Sequence, residues 1–73
     1  MTSKEFFDKI TDEILEECHT EDQYIDVYKR VQEYKETHEV SREDTKRYRE
    51  TRAVEMLSMA TQRYRKSLKV VNQ

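Results

Sequence analysis

The sequence predicts an all-α protein: a small three-helix bundle (helix, helix, long helix) or a helical hairpin, completed by oligomerisation. Three observations predict it. The 73 residues include no Gly and no Pro, so the residues that most readily take positive φ or fix a turn are missing and tight strand hairpins are hard to build. Glu, Lys, Arg, Gln and Met favour helix, while Val, Ile and Thr are scattered. The apolar residues recur at intervals of three and four, the helical period. That spacing also separates the chain from a disordered one, with which it shares high charge (41%) and low hydrophobic content (34%).

Helix 1 is expected over about residues 3–18. Thr2 and Glu5 have capping-box spacing, in which hydroxyl and carboxylate each satisfy a free N–H. Phe6, Phe7, Ile10, Ile14, Leu15 and Cys18 then form one apolar stripe, with Asp8, Asp12, Glu13, Glu16 and Glu17 outside it. Helix 2 is expected over about 21–38. Thr20 and Gln23 repeat the capping spacing, and Tyr24, Val27, Tyr28, Val31 and Tyr34 carry the stripe, with Ile25 beside them. The stripe fades between Lys35 and Arg47, so a short connector is expected near His38–Val40. Ser41, with Asp44 three residues on, is the next cap.

Helix 3 is expected over about 42–70, spanning roughly 45 Å at 1.5 Å per residue. It must therefore lie across the other two helices end to end, or overhang them. At about 100° per residue, Ala53, Met56, Leu57, Ala60, Tyr64, Leu68 and Val71 share a sector of roughly 120°, a core face. Lys66 and Lys69 suit a helix C-terminus, where the dipole favours cations. Traced backwards, the same face meets Arg42, Lys46 and Arg49, where apolar residues belong. Residues 42–52 offer only Tyr48 to a core, so this segment is expected to overhang as a solvated helix or to meet something acidic. Arg-Tyr-Arg occurs twice, at 47–49 and 63–65. On one straight helix the two triplets point to nearly opposite sides, so they are not a repeated recognition unit.

Charge is unevenly spread. Residues 1–22 hold two basic and eight acidic side chains (−6), residues 23–45 four and six (−2), and residues 46–73 eight and two (+6), which together give the net −2. A chain this short buries only roughly 60% of its unfolded surface. Oligomerisation is a common remedy. The single cysteine, Cys18, allows no intrachain disulfide and fits a reducing cytoplasm. No apolar run approaches the roughly 18 residues that cross a bilayer, so no membrane partner is expected.

Catalysis, cofactors and metals are not expected. Cys18 and His19 are neighbours that a helix points about 100° apart, so they make no nucleophile–base pair. No Gly-rich loop exists to cradle phosphates. Glu16-x-x-His19 has the spacing of one half of a di-iron helical site but lacks the other half. Cys18, His19 and His38 lack the fourth ligand and the spacing of a zinc site.

Two functional readings remain. The first is a protein–protein interaction module, a regulator, inhibitor or assembly factor, acting as a homo-oligomer. Its candidate partner-binding residues are Phe6, Phe7, Tyr24, Tyr28, Tyr34, Arg47, Tyr48, Arg49 and Arg52, because exposed tyrosine and arginine anchor interfaces. The second is a nucleic-acid-binding module using Lys46, Arg47, Arg49 and Arg52 on phosphates, with Tyr48 to stack on a base. The acidic first third opposes it by repelling phosphate. In composition alone the chain is similar to small accessory proteins of bacteriophages and mobile elements, a likeness that gives no residue a role.

Overall fold

The computed structural model describes residues 2–71, with the side chains of residues 69–71 outside the description. The described residues form helices and connections: α1 (Ser3–Glu16), α2 (Glu21–Thr37), α3 (Arg42–Arg49), α4 (Arg52–Ala60) and α5 (Gln62–Val71). The expected helix over 42–70 is thus three segments.

With no glycine available, no described residue has positive φ. Instead, a Ser or Thr in extended backbone starts each of the first four helices. Thr2, Thr20, Ser41 and Thr51 have ψ of 161°, 159°, 137° and 153°. Each hydroxyl accepts from an N–H in the first helical turn: from Glu5, Gln23, Asp44 and Val54 respectively. Thr20 completes a capping box, because Gln23 Oε1 accepts from its N–H at 3.0 Å.

The break between α3 and α4 is made by Thr51. Its hydroxyl donates to the Tyr48 carbonyl at 2.7 Å and accepts from the Val54 N–H at 3.3 Å, closing one helix and opening the next. The second interruption, at Thr61, is slighter. Helical N–H bonds continue through it, from Thr61 to Leu57 (3.0 Å) and from Arg65 to Thr61 (2.9 Å). The Thr61 hydroxyl also donates to the Leu57 carbonyl at 2.7 Å. A second donor on one carbonyl bends a helix, and Thr61 sits at φ −103°, ψ 8°.

α1 is the shared element, packing against α2, α3 and α4, while α2 packs on α4. Phe7, Ile10, Ile14 and Cys18 from α1 and its end meet Val27 and Val31 of α2, Tyr48 of α3, and Ala53 and Leu57 of α4 in one buried cluster. Thr61, 1% exposed, is the buried polar member of the core. Its hydroxyl is satisfied within its own helix, so burial leaves no donor stranded.

The break at Thr51 decides which end is loosely held. α3 folds back on α1, so Tyr48 stacks on Phe7 with ring centroids 4.6 Å apart. Ser3 donates a hydrogen bond to Asp44 across the same junction. Residues 42–49 therefore do not overhang. The less supported end is α5, which leans mainly on α4, with Tyr64 edge-on to Tyr28 at 6.1 Å. The Cα radius of gyration, 12.3 Å, exceeds the about 11 Å of a compact chain this long.

The core face expected on helix 3 is only partly realised. Ala53 and Leu57 are buried, Met56, Ala60 and Tyr64 are half-buried, and Leu68 is 41% exposed. The side chains of Lys69 and Val71 lie outside the described residues. The two Arg-Tyr-Arg triplets differ: Tyr48 is buried between exposed Arg47 and Arg49, whereas Tyr64 and Arg65 are both half-buried beside exposed Arg63. The opposite-sides geometry of a straight helix does not apply across two breaks.

Candidate interaction surfaces

Aromatic rings form a continuous column through the molecule. Tyr48 stacks on Phe7, Phe7 meets Phe6 edge-on at 5.6 Å, Phe6 stacks on Tyr34 at 3.9 Å, and Tyr34 stacks on His38 at 4.2 Å. The column runs from the core to the C-terminal end of α2. The edge contact between Phe6 and Phe7 adds about 0.5–1.5 kcal/mol beyond area burial. Much of the aromatic surface that made Phe6, Phe7 and Tyr34 partner candidates is thus spent within the chain. Phe7 and Tyr48 are buried outright, so these two candidates belong to the core: α3 doubles back and covers them. Tyr48 is 5% exposed, no described residue bonds its hydroxyl, and desolvation pushes its pKa up to about 12.

Tyr24 and Tyr28 have a different setting. α2 runs antiparallel to the run from α3 to α5, as Lys35 and Arg49 line one cleft while Tyr28 neighbours Tyr64. Tyr24 lies one turn from Tyr28 on α2, and Leu68 lies one turn from Tyr64 on α5. Tyr24, Tyr28 and Tyr64 are half-buried and Leu68 is exposed. The Lys29 amine stands 5.5 Å from the centre of the Tyr64 ring, a cation–π contact that rims the patch with charge. Sequence reasoning placed Tyr64 and Leu68 on a core face. Leu68 is exposed and stands outside the buried cluster.

The basic candidates are dispersed. Arg42, Lys46 and Arg49 line a shallow hollow of about 570 Å³ on the outer side of α3, with Thr45 and Glu50. Arg47 is turned elsewhere and pairs with Asp44 at 3.3 Å. Arg52 lies on α4, beside Glu55 and Met56. Lys46 and Arg49 are therefore brought together, while Arg47 and Arg52 are not, and buried Tyr48 has no face to offer a base.

The acidic end is separate. Glu13, Glu17, Asp22 and Asp26 surround a groove where α1 gives way to α2. Arg30 spans it, with Nη1 donating to Glu13 at 3.2 Å and Nε 3.2 Å from Asp26. The bond to Glu13 raises the arginine pKa above its ordinary value. Cys18 is buried at the rim, and burial, then Glu13, push its thiol pKa up. Among the described residues, no group of three His, Cys, Asp or Glu side chains could hold a metal ion. No described helix is long and apolar enough to cross a membrane.

No family model matches the chain, and no curated protein or solved structure shows significant similarity to it.

Proposed function

We propose that the protein is a small helical interaction module that docks on a protein partner, as a regulator, inhibitor or assembly factor, and that it self-associates. The patch formed by Tyr24, Tyr28, Tyr64 and Leu68 carries the reading. Its residues are aromatic and apolar, two of them stand on the lightly supported α5, and the Lys29 amine lies against Tyr64. Tyrosine gives a contact surface with an apolar body and a polar tip at small entropic cost. A second copy would cover the open flank of α5 and complete the bundle. A reducing cytoplasm is the compartment consistent with a lone thiol.

Sedimentation equilibrium from about 1 µM to about 1 mM tests the self-association, a range that spans roughly −8 to −4 kcal/mol of association energy. A dimer or larger species is expected for the native chain. Leu68→Glu should shift it towards monomer with unchanged helical circular dichroism. A folded monomer throughout the range would overturn the oligomeric part. Partner docking is tested by cross-linked capture with the native chain and with Tyr24→Glu. A protein captured equally by both would refute docking through this patch.

A second reading, nucleic-acid binding, is favoured by one observation: Arg42, Lys46 and Arg49 share the outer hollow on α3. In this version the contacts are to phosphates, without base stacking. Fluorescence anisotropy with a labelled duplex and a single strand decides it. Binding that collapses between about 50 and 200 mM salt supports it, and no binding at low salt refutes it.

A further inference from the structure

A second cleft of about 310 Å³ opens between α2 and the run from α3 to α5. Its apolar wall is Val31, Val54 and Leu57, and Lys35, Arg49 and Arg65 supply its cations. Among the described residues no carboxylate lines it, although the chain has 16 acidic residues.

The three cations reach the cleft from different elements and are held differently. Arg65 is fixed: its Nη2 donates to the Ser58 carbonyl at 2.7 Å and its Nε to the Thr61 hydroxyl at 3.3 Å. That hydroxyl belongs to the fully buried Thr61, so the guanidinium rests on the core. Lys35 and Arg49 have no such anchor, and neither makes an ion pair or side-chain hydrogen bond with a described residue. Lys35 is half-buried, and its pKa is lowered first by burial and then by the Arg49 charge. Helix C-termini favour nearby cations, which accounts for one cation at the end of α2 and one at the end of α3. It does not account for both lining one cleft, half-buried Lys35 beside exposed Arg49, where like charges repel. An anion between them would relieve that repulsion and accept charge-assisted hydrogen bonds.

We propose that this cleft binds a phosphate monoester carried on a small apolar or aromatic body. Three convergent cations suit a dianion better than a single carboxylate. The Val31–Val54–Leu57 wall suits the organic part, and the volume is that of a small-ligand site rather than a polymer track. The site is distinct from the Tyr24–Leu68 patch and does not depend on it.

The test is a titration of the full chain with phenyl phosphate, followed through backbone amide shifts and thermal unfolding. Saturable shifts are expected along residues 31–35, 54–61 and 65, with a melting temperature that rises with ligand. Lys35→Gln and Arg49→Gln should each weaken binding about tenfold, the scale of one charge-assisted hydrogen bond. Without ligand, Lys35→Gln should melt no lower than the native chain, because it removes a half-buried cation beside another. Lost binding would then not be lost folding. Benzoate should bind more weakly than phenyl phosphate. No shifts up to about 10 mM, a limit corresponding to roughly −3 kcal/mol, would overturn the proposal, as would binding unchanged in both variants. A short single-stranded oligonucleotide that binds the same residues far more tightly than phenyl phosphate would also overturn it and assign the cations to a polymer backbone.

Discussion

Tyr48→Phe isolates the cost of one buried hydroxyl. The ring stacks on Phe7 and fills the junction of α1 and α3, and phenylalanine preserves that packing. The hydroxyl has no described hydrogen-bond partner, and a stranded buried polar group costs about 1–3 kcal/mol. At neutral pH the variant should therefore be as stable as the native chain, or more stable by up to about 2 kcal/mol. The alkaline limb gives a sharper number. Burial raises the phenol pKa from 10.0 to about 12 in the folded state, so the folded state holds its proton longer than the unfolded chain. Below pH 10 both states are neutral and the contribution is intact. Between pH 10 and about 12 the unfolded chain ionises first, and stability falls by about 1.4 kcal/mol per pH unit, about 2.7 kcal/mol in all. Lys35 acts with the opposite sign and in a lower window, because its folded pKa is lowered below 10.5 and its contribution changes as pH rises to that value. The quantity to read is therefore the difference between native and variant, from urea unfolding followed by circular dichroism at several pH values. The difference should widen from pH 10 to 12 in favour of the variant. Parallel stability curves, or a variant more than about 1 kcal/mol less stable at pH 7, would refute the assignment of an unpartnered hydroxyl.

Two further outcomes follow from the helix ends. Thr20→Ala removes the side-chain half of the capping box at α2 and should cost about 1 kcal/mol in urea unfolding, whereas Thr20→Asn should restore most of it. A loss too small to measure would mean that α2 is held by packing alone. The Cys18 thiol should react slowly with a disulfide reagent at neutral pH in the folded state and promptly in urea, since it is buried with its pKa raised. Equal rates in the two states would show that the α1–α2 junction opens freely.

Much of the fold was legible because its signals are local. The caps at Thr2, Thr20 and Ser41 need only the residue three places on, and the α1 stripe needs only its own period. The breaks at Thr51 and Thr61 were missed because a threonine inside a helical pattern has no distinctive neighbour. One signal was present. The core face of helix 3, traced backwards, ran into Arg42, Lys46 and Arg49, and a face that changes from apolar to cationic without a change of phase marks a helix that has ended. The candidate surface was less legible. Tyr24 and Tyr28 are partly exposed, but nothing in the stripe told Phe6 from Phe7 or foresaw that α3 would cover Tyr48. The cleft was out of reach, because Lys35 and Arg65 become neighbours only when α2 lies against α4 and α5.

The position of α1 also sets the order in which the molecule can close during synthesis. Its stripe is made first, and the partners that cover it come last: Phe7 needs Tyr48, and the rest of the stripe needs α4. A growing chain that ends before α3 carries Phe7, Ile10 and Ile14 with only α2 against them. Such a nascent chain has a sticky helix and no core, a state open to aggregation or chaperone capture. The native cover of the α1 stripe is therefore complete only once α3 and α4 have emerged.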